Sequence, residues 1–180
     1  MSEDKKPSFV LAITGPTGSG KSTVAEKLAK QLDQCVNIDA DHIKHMIVSG
    51  FYFNMKPDGT KKWGFNQWGL VGDSTGLLAR NFLDAGYSVI INGYVDEPAW
   101  TNIQKHITLT HKVLLLPHVD TVTQRDSERN EDVRMGNEAV NEHHAHFSSD
   151  SFFQDFIKLD TTDQSTEETV GKVSEIVNKK

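Results

Sequence analysis

The chain has 180 residues, a net charge of -6 and 37% apolar residues, enough for one folded unit with a sizeable core, since length alone suggests about one domain per 150 residues. With a pI near 5.7 it excludes a broad electrostatic footprint for duplex DNA and favours a small neutral or anionic partner. The opening MSEDKKPS has no signal-peptide core, and no apolar run approaches the ~20 residues that span a bilayer, so the sequence predicts a soluble, cytoplasmic protein without membrane contact.

Apolar runs alternate with helical patterns along the chain. The first predicted strand, residues 8 to 14, runs through Phe9-Val10-Leu11-Ala12-Ile13 into Gly15-Pro16-Thr17-Gly18-Ser19-Gly20-Lys21-Ser22-Thr23, and Val24, Leu28 and Leu32 then recur at helical spacing over 21 to 33. Strand, GxxxxGK[ST], helix is the context of a phosphate-binding loop. Gly15, Gly18 and Gly20 let successive backbone N–H groups turn inward with those of Thr17 and Ser19, and the helix start adds its positive end. Lys21 is placed for the β- and γ-phosphates and the Ser22 hydroxyl for Mg²⁺. The segment therefore implies a bound nucleoside triphosphate.

A second strand over 35 to 38 begins at Cys35, the single cysteine, read as a small buried hydrophobe. It ends Asn37-Ile38-Asp39-Ala40-Asp41-His42, which puts two carboxylates at the strand end nearest the phosphate loop. One can hold a reacting hydroxyl and accept its proton, and the other can orient magnesium-bound water; either is also placed to cap the helix predicted over 40 to 49. Residues 50 to 68 then break the rhythm with Phe53, Trp63 and Trp68 among lysines and turn residues. Two readings compete: a substrate-facing loop, or a hairpin turning at Lys56-Pro57-Asp58-Gly59. Long unpatterned segments are usually functional, which favours the first for the segment as a whole.

A helix over 69 to 85, stopped by Gly86, carries Arg80, placed either to reach an anionic substrate group or on a solvated surface. The strand over 87 to 92 ends at Asn92, where many nucleotide hydrolases carry a magnesium-binding aspartate; an amide cannot supply that charge, and Asn92 stands as a candidate substrate contact. A helix over 97 to 106, capped by Asp96 with Pro98 in its first turn, leads to a strand over 111 to 116. Arg125 and Arg129 then share one face of a helix over 120 to 130, with Arg134 in the loop beyond. Beside a phosphate loop such cations can stack on a base or neutralise a transferring phosphoryl group. In the helix over 137 to 147, His143 and His146 lack a companion carboxylate at HExxH spacing and read as a polar helix edge. A strand over 156 to 160 and a helix over 166 to 178, opened by a Ser165/Glu168 capping box, complete the pattern. The alternation predicts a parallel sheet between helical layers, with ligands at the carboxyl ends of the strands.

These residues together resemble the small-molecule P-loop kinases related to shikimate kinase, gluconate kinase, chloramphenicol phosphotransferase and tunicamycin-resistance-like proteins. GPTGSGKST, IDADHI, the Asp84 to Ile91 approach to the third strand, LLLPHVDTVTQRDSER and LDTTDQSTEETV carry the likeness. It implies a three-layer α/β/α P-loop NTPase fold, a five-stranded parallel sheet ordered 2-3-1-4-5 and a mobile lid over about 126 to 140, all in one kinase domain. It also implies transfer from ATP, with Mg²⁺, to a small-molecule hydroxyl. On that resemblance Asp39 and Asp41 fall at the base and substrate positions, Arg125 at the adenine-stacking position, Arg129 and Arg134 among the lid cations, and Thr161 and Thr162 in the loop bordering the base. The insert at 50 to 68 has no clean counterpart in shikimate or gluconate kinases, so neither substrate transfers. The rivals are a nucleotide-dependent switch, for which NKxD and DxxG signatures are lacking, and a polynucleotide 5′-hydroxyl kinase, suggested by Lys56, Lys61 and Lys62 beside Trp63 and Trp68. The acceptor and the oligomeric state stay open.

Overall fold

The computed structural model describes residues 8–50, 53–55, 61–65, 67–95 and 97–179, with the backbone alone at 53–55 and 61–65. Strand β1 (Val10–Thr14) is buried along its whole length, as a central parallel strand covered on both faces must be. It pairs with β5 (Ser88–Asn92) on one side and β6 (His111–Leu115) on the other. Outside these lie β2 (Cys35–Asp39) on β5 and β7 (Ile157–Leu159) on β6, every pairing parallel. The order β2-β5-β1-β6-β7 is the expected 2-3-1-4-5 when the five strands of this sheet are counted alone.

Side-chain alternation sorts the helices into two layers. Leu11, Ile13, Ile90, Val113 and Leu115 point to one face, where α1 (Lys21–Ala29) contributes Val24, Ala25 and Leu28 and α7 (Thr166–Asn178) contributes Val170 and Val173. Val10, Ala12, Ile38, Val89, Ile91 and Leu114 point to the other. There α3 (Trp68–Asp84), α4 (Glu97–His106) and α6 (Asn137–Ser149) supply Val71, Ala79, Trp100, Ile103 and Phe147. Each Val, Leu, Ile or Phe among them, withdrawn fully from water, stabilises the fold by about 1.5–3 kcal/mol before entropy is counted.

Local signals explain the element ends. At the end of α3 the Gly86 N–H bonds to Leu83 O and the Tyr87 N–H to Phe82 O, the paired bonds of a Schellman stop. Helix α7 opens with the complete Ser165/Glu168 capping box. Helix α1 ends at Ala29 rather than 33, because Gln31 and Leu32 bond back only three residues, to Leu28 and Ala29. Helix α2 (Ala40–His45) stops short of 49, where Ile47, Val48 and Gly50 are poor helix formers. Helix α5 (Val119–Ser127) likewise ends before 130.

In the irregular stretch, β3 (Phe53–Met55) and β4 (Lys61–Phe65) form an antiparallel pair, so the hairpin geometry is present, and α3 begins at Trp68. Its turn at 56–60 lies outside the described residues, as does Asp96, the predicted cap of α4. Cys35 is half-buried, and desolvation pushes its thiol up to about 11, which leaves it inert at neutral pH. Among the described residues no helix is long and apolar enough to cross a membrane.

Candidate active site

The loop between β1 and α1 occupies the carboxyl edge of the sheet. Gly15, Gly18 and Gly20 all have positive φ, at 151°, 81° and 90°. At Gly15 a β-carbon would come within 2.3 Å of the Leu115 carbonyl, so the loop can pass over the end of β6 only without a side chain. The Ser19 N–H bonds to Pro16 O at 3.1 Å and closes the curl. Lys21 Nζ lies 3.4 Å from Pro16 O, across the mouth of the loop. Burial depresses its pKa below the ordinary lysine value; Asp41 and Asp39 oppose that shift, while Arg129 and Lys44 add to it. The ammonium is thus a poorly hydrated cation facing a cleft, ready to be compensated by phosphate oxygens.

The two aspartates separate by role in space. Asp39 caps α2, its Oδ1 accepting the Asp41 N–H at 2.9 Å, and its Oδ2 takes the Ser22 hydroxyl at 3.5 Å. Asp41 is held at both oxygens: Oδ1 accepts from Lys44 Nζ at 2.9 Å and Oδ2 from the Tyr94 backbone N–H at 3.0 Å. Burial works against its charge, but Lys44, Lys21 and the Tyr94 N–H outweigh that cost and keep the carboxyl below the usual aspartate range. Capping and a place in the site therefore coexist in Asp39, while Asp41 presents an oriented carboxylate.

A cleft of about 780 Å³ joins these groups, lined by Lys21, Ser22, Asp39 and Asp41 and also by Lys44, Trp68, Tyr94, Arg125, Arg129, Met135 and His143. That volume lies in the range of small-molecule sites. Arg125 spans from Gly18 O (3.4 Å) to Thr161 O (3.3 Å), tying the phosphate loop to the segment after β7. Thr162 is turned to its neighbours, accepting the His118 N–H at 2.8 Å and donating to Asp160. Thr17 donates to Met135 Sδ at 2.9 Å, and Thr23 lies exposed on the first turn of α1 beside the cleft.

Other expected contacts lie elsewhere. Arg80 is exposed on α3 and chelates Asp84 at 2.8 and 2.9 Å, away from the cleft-lining residues, which is the surface alternative rather than the substrate one. Asn92 is fully buried with its amide donating to Asn37 at 2.8 Å, so it sits beneath the site rather than in it. Arg134 donates to Arg129 O at 2.6 Å and is not among the lining residues. Trp68 lines the cleft as the first residue of α3, with Lys44 Nζ 5.3 Å above its ring. Phe53 and Trp63 lie in the hairpin strands, and their side chains fall outside the described residues.

Sequence reasoning missed Lys44, Tyr94 and His143. His143 is not on a polar edge: it is buried and stacked on Tyr94 with ring centroids 4.4 Å apart, and its Nδ1 lies 3.4 Å from the Thr17 hydroxyl. Desolvation, then Lys21, lowers its pKa to about 4, so the imidazole is neutral at physiological pH. The only sequence signal for it was its phase with Ala139, Val140 and Phe147 on the buried face of α6.

For a cation the residues present suit magnesium. Among the described residues no cluster of three or more His, Cys, Asp or Glu could cage a metal. The Ser22 hydroxyl and Asp39 instead offer two oxygen donors, the pattern of an ion that takes its remaining ligands from phosphates and water.

A glycine-curled loop between a central parallel strand and a helix, with a half-buried lysine and carboxylates at the end of β2, one strand beyond its neighbour, defines a P-loop nucleotide-binding α/β protein of kinase-like fold. More particularly, the chain belongs to the AAA domain family AAA_33, whose profile matches residues 10–149. No match was found among curated proteins. Among solved structures the chain is similar to a sugar kinase from Janibacter sp. HTCC2649 (17% identity, 96% of this chain and 95% of that one, TM-score 0.70). It is also similar to the Deinococcus radiodurans tunicamycin resistance protein (16% identity, 96% and 97%, TM-score 0.67). A third similar structure is shikimate kinase from Acinetobacter baumannii in complex with shikimate (15% identity, 96% and 94%, TM-score 0.58).

Proposed function

We propose that this protein is an ATP- and Mg²⁺-dependent phosphotransferase that moves the γ-phosphoryl group to a hydroxyl of a small molecule of the antibiotic, nucleoside or sugar kind. The observation that carries the reading is Asp41, an ionised carboxylate clamped at both oxygens and facing the same cleft as Lys21. A group that only bound nucleotide would have no use for a base in that place.

The acceptor hydroxyl donates its hydrogen bond to Asp41, which aligns the oxygen and takes the proton as the new O–P bond forms and the bond to the β-phosphate oxygen breaks. Lys21 and Arg129 neutralise the charge that gathers on the departing diphosphate and the transferring group. Ser22 and Asp39 would hold Mg²⁺, whose charge would offset the repulsion among the phosphate oxygens. Neutral His143 and Tyr94 close the side of the cleft and restrict water as a competing acceptor. With ATP as donor, the reaction belongs in the cytoplasm. The sugar kinase, tunicamycin resistance protein and shikimate kinase likenesses support a kinase and leave the acceptor to be found.

The test is a mass-spectrometric screen of hydroxylated metabolites and antibiotics with ATP and Mg²⁺ for gain of a phosphoryl group. Lys21→Ala is the control, expected to lower the rate roughly a thousandfold. Absence of product across all classes, or transfer undiminished in Lys21→Ala, would sink the proposal.

A further inference from the structure

Asp126, the penultimate residue of α5, is an anomaly: its side chain is only 4% exposed, yet it is a carboxylate. Such a group is costly to bury unless donors surround it. Here they come from ahead in the chain. Its Oδ2 accepts the Met135 N–H at 3.0 Å and the Gly136 N–H at 3.1 Å, and its Oδ1 faces the Arg129 guanidinium at 3.4 Å. Two successive N–H groups thus converge on one oxygen, and Gly136, at φ 84°, turns the chain from there into α6. The side chain thereby ties the end of α5 to the start of α6.

The segment between these ends has no other means of holding its place by burial, since residues 127 to 134 are all exposed. Beyond the tie, Met135 turns its sulfur to the Thr17 hydroxyl of the phosphate loop, and Thr17 meets His143. A continuous chain of contacts thus runs from Asp126 through Met135 to the phosphate loop. It also leaves Arg129 parked at the cleft edge.

We infer that Asp126 is the positioning residue of this lid: it clasps the ends of the 127–135 segment, seats Met135 on Thr17, and holds Arg129 where it can exchange Asp126 for an arriving γ-phosphate. The backbone clasp persists through that exchange, while the guanidinium changes partner. The inference rests on the nucleotide reading above, but the clasp itself does not.

Two measurements on the full chain separate the claims. Limited trypsin cleavage after Arg129 and Arg134, without ligand, reports the clasp. Calorimetric binding of Mg²⁺ with a non-hydrolysable ATP analogue, against Mg²⁺ with ADP, reports the seating of Arg129. Asp126→Ala is expected to speed cleavage at both sites about tenfold or more and to reduce the triphosphate preference about tenfold. Asp126→Asn keeps an acceptor oxygen for the backbone, so it should stay closer to wild-type protease resistance while losing triphosphate preference. A purely structural aspartate would lower thermal stability without changing that preference. Should Asp126→Ala not fold, the Asn variant decides: wild-type preference there overturns the inference. Wild-type cleavage rates in a folded Asp126→Ala overturn it as well. If the wild type binds neither nucleotide, the nucleotide reading fails, and the cleavage rates alone judge the clasp.

Discussion

The donor wall of the cleft comes from one contiguous stretch, Gly15 to Thr23, braced by β1 beneath and α1 behind. The facing wall gathers Asp41 and Lys44 from α2, Trp68 from α3, Tyr94 from the loop after β5, and His143 from α6. A contiguous loop carries its geometry in its own backbone angles, so glycine spacing is enough to specify it. A wall assembled from four elements depends on how the layers pack, and its residues have no common motif. On the proposed function the first wall would serve a constant ligand, a triphosphate, and the second would be the one to vary with the acceptor while the sheet stays unchanged.

That contrast can be broken most sharply at Asp41. Asp41→Asn should lower transfer to the acceptor found in the screen by about 10²–10⁴-fold while nucleotide affinity changes by less than about threefold. An equal loss in both would mean that Asp41 serves the donor wall. A smaller effect is expected from acid. The unfolded imidazole of residue 143 takes up a proton near pH 6.5, whereas the folded one resists until about pH 4. The unfolded state therefore holds more protons between those values, and stability falls as pH drops through the window, by on the order of 3 kcal/mol at its lower end. Urea midpoints measured across pH 7 to 4 should fall more steeply in wild type than in His143→Phe; parallel curves would remove His143 from the buried wall. The smallest effect is at Asp39. Asp39→Asn should raise the Mg²⁺ concentration needed for half-maximal nucleotide binding roughly tenfold, and an unchanged titration would place the cation away from Asp39.

The donor wall is legible in the chain itself because its parts are local: Lys21 and Ser22 follow a strand and begin a helix, and nothing else need be known. The carboxylate pair is legible as a pair, but its division of labour is not. Asp41 meets Lys44 three residues on in its own helix, but Asp39 reaches Ser22 and Asp41 reaches the Tyr94 N–H only once the strands have packed side by side. Arg80 stays open between two readings in the sequence because its helical position says nothing of which side of α3 meets the cleft; Asp84, one turn on, offers it a partner at the surface. His143 reads as surface because neighbouring histidines and glutamates suggest a polar helix, whereas stacking on Tyr94 offsets the desolvation of its ring.

By itself the sequence determined the strand and helix alternation, the phosphate loop and the capping of α7, because short-range backbone preference and side-chain periodicity suffice for each. Packing of the layers alone selects the residues of the second wall, the aspartate that faces it, and the buried Asp126 that ties the two ends of an exposed arginine-bearing segment. Those are contacts between residues far apart in the chain or turned to one side of a helix, and their energies depend on burial and direction, which no residue carries until the layers have packed.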